Sequence, residues 1–228
     1  MPHKGTAGFD LAVFDLDGTI TRHDTLMPFV LHCLWRKPWR LPRLLLLPPL
    51  AFGYLLHRDR GRFKGALIRA TIGGLPRAWL EARAAGFVPW LLRRGLFAEA
   101  LRAINDHRAR GDRLLLMSAS IDLYVPLIGG ALGFGQTICS QVRWNPDGTL
   151  DGRLASANCY GEEKRRCLQA QIAREPPQRL YAYGNSGSDL PHMRLASQAY
   201  LINGPTRMIG SNATIKALHW TQHGAAQG

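Results

Sequence analysis

The chain has 228 residues, enough for one large domain or for a domain that carries a sizeable insertion. With 46% hydrophobic and 20% charged residues and no long polar or low-complexity tract, it reads as a folded protein, which excludes disorder except at residues 3–6 and 225–228. A formal charge of +13 points to an anionic partner, whether nucleic acid, an anionic membrane or an anionic small molecule, and does not choose among them.

The chain opens with MPHKGTAGFD, too short and too polar for a secretory leader. Cys33, Cys139, Cys159 and Cys167 are scattered without a C-x-x-C spacing. A reduced, cytoplasmic location is therefore expected, and neither a disulfide framework nor a zinc site is. The next stretch, FDLAVFDLDGTITRHDT (Phe9 to Thr25), holds an apolar run of strand length, LAVF, that ends in two aspartates separated by one leucine. An EF-hand loop would need glycine at the sixth position and glutamate at the twelfth, where this sequence has Ile20 and Leu26, so that reading fails. What remains is a pair of carboxylates, Asp15 and Asp17, at the carboxyl end of a strand. One can attack phosphorus while the other exchanges a proton with the leaving oxygen. Two such carboxylates repel unless a cation lies between them, so a magnesium ion and a lysine are expected companions.

From Arg22 to Arg94 the pattern is helical with no clear strand, and it reads as an insertion or cap. Between Arg36 and Arg77 it is strongly basic, with Asp59 as its only acid. Inside it, LLLLPPLAFGYLL (Leu44 to Leu56) is uncharged, shorter than the roughly 20 residues of a membrane span, and interrupted by Pro48 and Pro49. Two readings stand for this stretch: a buried, cap-lining helix, or an apolar element beside cationic residues that suits an anionic interface. Trp35, Trp39 and Trp79 are expected to pack in the core or the cap. No recognisable nucleic-acid module accompanies them, so a base-stacking role is not expected. Lys64 and Arg69 can reach a pocket from the cap.

Beyond the insertion, Phe97 to Gly111 has helical spacing and a glycine stop, and RLLLM (Arg113 to Met117) is a second strand. QVRWNPDGTLDGRL (Gln141 to Leu154) reads as a hairpin turning at Asn145 to Gly148, which gives Asp147 no catalytic role. Glu162 to Ala173 is helical, and RLYAY (Arg179 to Tyr183) is a third strand. His192, farther on, is expected to face solvent or pack on the sheet, and His23 to sit on a surface loop. This alternation predicts an α/β fold: a doubly wound, mostly parallel sheet with an inserted α-helical cap and its ligand site beyond the carboxyl ends of the strands.

Four segments in order resemble the motifs of the haloacid dehalogenase (HAD) superfamily. DLDGT resembles the first motif and LLLMS the second, Lys164 in YGEEKRRCL the third, and YGNSGSD the fourth. The resemblance implies a HAD core over 8–21 and 95–222 with a cap over 22–94. It implies a magnesium-dependent phosphatase in which Asp15 becomes an aspartyl-phosphate and Asp17 is the general acid and base. Ser118 and Lys164 would hold the phosphoryl oxygens, and Thr19 would orient the first loop. Mg2+ would be held by Asp15, Asp17, Asn185 and Asp189. Asn185 stands where the superfamily commonly has a metal-binding aspartate, so either Asn185 or Asp189 carries more of that coordination.

The insertion resembles the cap of the subfamily that contains phosphoserine phosphatases. That subfamily has a substrate-gripping glutamate where this chain has Asp24, and Ser-Gly-Gly where it has Ser118-Ala119-Ser120. Both departures argue against phosphoserine. Thr19, Asp24, Ser118 and Ala119 are the candidate substrate contacts, with Asp24 equally suited to capping the next helix. The apolar, arginine-flanked cap is similar, more loosely, to phosphatidylglycerophosphatase-like enzymes. The implied partner is a phosphorylated small molecule, with a lipid phosphate and peripheral contact at the cytoplasmic side of a membrane as the alternative. A basic protein that only binds nucleic acid or anionic lipid is the non-enzymatic alternative.

Overall fold

The computed structural model of the protein describes residues 8–46, 48, 60–210 and 213–221. The sheet is built from β1 (Asp10–Asp15), β2 (Arg113–Ile121), β3 (Gln136–Ser140), β6 (Arg179–Gly184), β7 (Gln198–Ile202) and β8 (Ile215–Leu218). These six strands run parallel in the order β3-β2-β1-β6-β7-β8, with β1 central. A central parallel strand is covered on both faces, which is why LAVF and RLLLM are continuous apolar runs and do not alternate with polar residues.

The period-2 geometry of the strands then sends alternate residues into two cores. Ala12, Phe14, Leu114 and Leu116 face one side, and Leu11, Val13, Leu115 and Met117 face the other. Helices α1 (Leu26–Trp35), α2 (Arg60–Thr71), α3 (Arg77–Arg94), α4 (Ala98–Ala109) and α5 (Val125–Leu132) lie on the first side, each with residues in that core. Helix α6 (Glu162–Arg174) and the short α7 (Leu190–Met193) cover the second. Strands β4 (Val142–Trp144) and β5 (Leu150–Leu154) form the expected hairpin, turning through Gly148 at φ 76°.

The inserted segment connects to the sheet by two adjacent crossings. Phe97 N–H donates to Ile20 O and Arg22 N–H to Gly95 O, with a bridge between Thr21 and Leu96. The apolar interior does not break at these crossings. Phe29, Val30, Ile68, Leu80 and Phe87 of the inserted helices share one cluster with Phe14, Leu116 and Tyr124. The β4–β5 hairpin also docks on this segment. Gly74 N–H donates to Leu150 O and Arg77 N–H to Gly148 O, and Gly152, at φ 95°, lets the Arg69 backbone approach so closely that a Cβ would collide with it.

One expectation changes. Trp35 and Trp39 do not pack: they are 79% and 69% exposed, whereas Trp79 is partly buried. The reason is geometric, since α1 is apolar all round and its buried face is taken by Phe29, Val30, Cys33 and Leu34, which leaves Leu31 and Trp35, one turn apart, outside. Of the two readings of His192, facing solvent or packing on the sheet, its full burial excludes the first. Most of Leu44 to Leu56 lies outside the described residues. Leu44–Leu46 closes a 3-10 segment over Pro38–Leu46 that buries no residue, and Pro48, the other described residue of the stretch, is exposed. Among the described residues no helix is long and apolar enough to cross a membrane.

Candidate active site

The site forms where β1, β2 and β6 end. Asp15 is the last residue of β1 and only 5% exposed. After it the chain tightens into a loop in which the N–H groups of Thr19, Ile20 and Thr21 all point at Leu16 O. Gly18 at φ 80° permits this turn, and a Cβ there would collide with the side-chain amide of Asn185. The loop returns Thr19 beneath Asp15, where its hydroxyl donates to Oδ2 at 3.0 Å.

Lys164, in the first turn of α6, is 2% exposed and bridges two carboxylates: its Nζ is 2.5 Å from Asp15 Oδ1 and 2.7 Å from Asp189 Oδ1. The second oxygen of Asp189 accepts from the N–H groups of Asn185 and Ser186, each at 3.2 Å, and from the Ser186 hydroxyl at 2.9 Å. Burial acts first on every one of these groups. It pushes the Asp15 carboxyl up to about 7, with the nearby charges of Asp189 and Asp17 adding to the rise and Lys164 only partly opposing it. For Asp189 burial also pulls upward, but Lys164 and its hydrogen-bond partners hold the carboxyl below the usual carboxylate range. Burial alone would lower Lys164, and the two aspartates instead hold it well above an ordinary lysine.

Asp17 has a separate set of donors. Oδ1 accepts the Thr25 N–H at 2.8 Å and the Thr25 hydroxyl at 2.6 Å, and Oδ2 accepts the hydroxyls of Ser120 at 2.7 Å and Ser118 at 3.3 Å. The Thr25 hydroxyl is also 3.1 Å from the hydroxyl of Tyr124, a fully buried side chain at the start of α5. A register irregularity in the β2–β3 pairing between Ser118 and Ile121 frees this part of β2 from a regular ladder, so that both serines turn toward Asp17. Thr25, Ser120 and Tyr124 are the site residues that sequence reasoning missed. Only Ser120 carried a signal, as the third residue of Ser118-Ala119-Ser120.

These groups face a cavity of about 700 Å³ whose walls include Asp15, Asp17, Lys164 and Asn185. Of the four candidate substrate contacts, Asp24 and Ala119 reach the wall, while Thr19 and Ser118 are fully buried behind it. Asp24 also caps α1, accepting the Leu26 N–H at 2.9 Å. His23 lines the cavity and is exposed. From the insertion come Met27, Phe63 and Leu67, and with them Lys64, whose Nζ donates to Ala119 O and, at 2.8 Å, to Asn158 Oδ1. Burial lowers the Lys64 ammonium to about 8, against the pull of Asp17 and Asp24. Arg69 does not reach the site and pairs instead with Asp151 at 2.9 Å.

The donor chemistry fits a hard cation. Asp15, Asp17 and Asn185 bring oxygen ligands to the cavity, and Lys164 pairs with two carboxylates, Asp15 and Asp189, while burial, with the charges of Asp189 and Asp17 adding to it, raises the Asp15 carboxyl to about 7. Among the described residues no group of three or more His, Cys, Asp or Glu side chains forms a ready cage. Asp189, 1% exposed with both oxygens hydrogen-bonded, lines the cavity together with Asn185.

Residues 12–194 match the family model described as haloacid dehalogenase-like hydrolase. The Caulobacter vibrioides protein CicA is 32% identical over 206 residues, covering 86% of this chain and 88% of that one. A Mycobacterium tuberculosis protein named as a probable phosphatase is 32% identical over 123 residues, 53% of this chain and 42% of that one. Among solved structures, a substrate-bound phosphoserine phosphatase superposes with a TM-score of 0.65 at 14% identity, covering 92% of this chain and 93% of that one. The chain belongs to the haloacid dehalogenase-like hydrolases, with the fold of the phosphoserine-phosphatase-like branch.

Proposed function

We propose that this hydrolase is a magnesium-dependent phosphomonoester phosphatase that works through an aspartyl-phosphate on Asp15. The observation that carries the reading is the pair Asp15 and Asp17 at one strand end, on one cavity, with Lys164 bound to the first and not to the second. Asp15 is held by a lysine and a threonine hydroxyl, as a group kept in one place to attack would be. Asp17 is held by hydroxyls and one N–H with no direct ion pair, as a group that must gain and lose a proton would be.

In the first half-reaction an Asp15 carboxylate oxygen forms a bond to phosphorus, the ester P–O bond breaks, and the leaving oxygen takes the proton of Asp17. In the second, Asp17 removes a proton from a water that attacks phosphorus, the P–O bond to Asp15 breaks, and inorganic phosphate leaves with Asp15 restored. Lys164 neutralises the nucleophile and steers a phosphoryl oxygen, and Ser118, behind Ala119, supports the same end of the site. Asp15, the Asp17 backbone carbonyl and Asn185 would hold Mg2+, with Asp189 fixing Lys164 beneath them. The ion would supply charge neutralisation for the phosphoryl group.

The segment 22–94, which carries helices α1, α2 and α3, acts as the cap. Lys64 brings a cation to a wall that is otherwise apolar at Met27, Phe63 and Leu67, so the substrate is a small anionic phosphate monoester with some apolar surface. Asp24 at the mouth and Ser120 beside Asp17 distinguish this cavity from one built for phosphoserine. The four free cysteines suit a reducing, cytoplasmic setting.

The test is phosphate release from p-nitrophenyl phosphate and a panel of small phosphate monoesters, with magnesium or EDTA, by wild type and Asp15→Asn. Magnesium-dependent release that falls by about four orders of magnitude or more in the variant supports the reading. Release that survives the substitution, or no release from any compound by folded protein with the metal present, overturns it.

A further inference from the structure

The exposed face of the inserted helices carries a combination of side chains that the phosphatase reading does not use. Leu31 and Trp35 stand one turn apart on the outer side of α1 at 44% and 79% exposure, and Trp39 follows at 69%. Leu45, at 78%, continues the face along the 3-10 segment over Pro38–Leu46, where no residue is buried. Large apolar side chains this exposed are usually scattered singly. Here they fall within a single stretch of chain and alternate with cations.

Arg36 and Arg43 are exposed within the same stretch, and Lys37 lies 5.2 Å from the Trp39 ring and 5.1 Å from the Trp79 ring. From Leu26 to Leu46 the sequence holds no acidic residue. Among the described residues none of Arg36, Lys37, Arg40 and Arg43 forms an ion pair with a carboxylate. Arg40 instead donates to the carbonyls of Thr71 and Gly73, which fixes the segment to the end of α2.

We propose that this face, centred on Leu31, Trp35, Trp39 and Arg43, docks on the surface of an anionic lipid bilayer. Each part of the surface matches that occupant. Tryptophan rings favour the headgroup level of a bilayer, where one side is apolar and the other wet. Leucines supply area to bury in the acyl boundary, and unpaired cations beside them meet an excess of anionic lipid. A site that grips nucleic acid would instead set aromatic rings in a basic groove that tracks a backbone, and these residues stand on the outer side of a helix and the 3-10 segment after it. A second copy of this chain would bring the same uncompensated positive charge against itself. Leu26 and Met27, at the other end of α1, line the catalytic cavity. Docking through Trp35 therefore holds the cavity within about 15 Å of the lipid surface, the length of a ten-residue helix.

The experiment is co-sedimentation of the full chain with vesicles of phosphatidylcholine mixed with phosphatidylglycerol, and with vesicles of phosphatidylcholine alone. Wild type, the double variants Trp35→Ala/Trp39→Ala and Arg36→Ala/Arg43→Ala, and a thermal melt of each are compared. The expected result is salt-sensitive binding to the mixed vesicles only. That binding should weaken by about thirtyfold when the two arginines are removed, and at least as much when the tryptophans are. Melting and release of phosphate from p-nitrophenyl phosphate in solution should stay unchanged. Failure of wild type to bind mixed vesicles overturns the proposal, as does equal binding by the folded variants. So does a doubled solution mass, or capture of single-stranded RNA, that the tryptophan substitutions abolish in a protein that leaves vesicles alone.

Discussion

The chain uses the dipeptide Asp-Gly in two tight turns, Asp17-Gly18 and Asp147-Gly148, and the two glycines adopt nearly the same positive φ, 80° and 76°. Their surroundings have nothing in common. Asp147 accepts only from Thr149, two residues on, through its N–H at 2.9 Å and its hydroxyl at 2.7 Å, and a Cβ on Gly148 would meet nothing within 4 Å. Asp17 accepts from Thr25, Ser118 and Ser120, residues brought in from the start of the cap and from β2, and Gly18 is closed over by Asn185 from the end of β6. A turn whose carboxylate is satisfied by its own neighbours closes a hairpin. A turn whose carboxylate is satisfied from distant segments is a place where the fold has converged, and in a parallel sheet that place is the carboxyl end of the central strands.

The sharpest way to break the comparison is to change both aspartates alike. Asp17→Asn keeps the acceptor oxygen for Thr25 but removes the exchangeable carboxyl proton, and turnover should fall by about 100- to 10,000-fold. Asp147→Asn, with its partners confined to the turn, should leave turnover unchanged. Steady-state kinetics on p-nitrophenyl phosphate measures both. Equal losses at the two positions would mean that Asp17 acts through folding alone.

The glycines test the same difference with a smaller effect. Alanine at either position must adopt a positive φ, which costs about 1 kcal/mol of stability and lowers the melting temperature by a few degrees. At Gly148 that should be all. At Gly18 the new methyl group also has to displace the Asn185 amide at the cavity wall, so Gly18→Ala should reduce turnover by about tenfold to a hundredfold, as misplacement of a reacting group does. If Gly18→Ala melts lower but turns over normally, Asn185 has no part in positioning phosphate or metal.

Much of this contrast is legible in the amino-acid sequence itself. The apolar runs at β1, β2 and β6 mark buried parallel strands because they do not alternate, and the polar clusters that follow them lie where strand ends must meet. The partners of Asp17 are less so. Thr25 sits beyond the loop, Ser120 beyond a register irregularity and Tyr124 on a separate helix, and only the tertiary arrangement brings three hydroxyls to one carboxylate and its neighbour. The exposed tryptophans escape for a different reason. LMPFVLHCLW is apolar on every side, so its periodicity cannot say which face the core takes. Nor does the sequence reveal that helices α1, α2 and α3 and the sheet share one apolar cluster, since those helices have enough hydrophobic residues to suggest a core of their own.

The smallest effect concerns the cation opposite Asp17. Lys64 is carried by α2, and burial lowers its ammonium to about 8 while Asp17 and Asp24 partly restore it. Below that pH the side chain is charged and the cavity presents a cation to an anionic substrate. Above it the proton is lost, and only a neutral amine remains bound to Ala119 O and Asn158. The Michaelis constant for an anionic phosphate monoester should therefore rise by severalfold, up to about tenfold, as pH increases from 7 to 9, an electrostatic contact worth about 1 kcal/mol at a partly buried site. The turnover number should not share this inflection. In Lys64→Met the Michaelis constant should start near the high value and stay flat through the same range. An inflection near pH 8 that persists in Lys64→Met would assign the titration to another group, and the substrate's negative charge would then have to be met from elsewhere on the cavity wall, where Arg22 and Lys164 are the other cations.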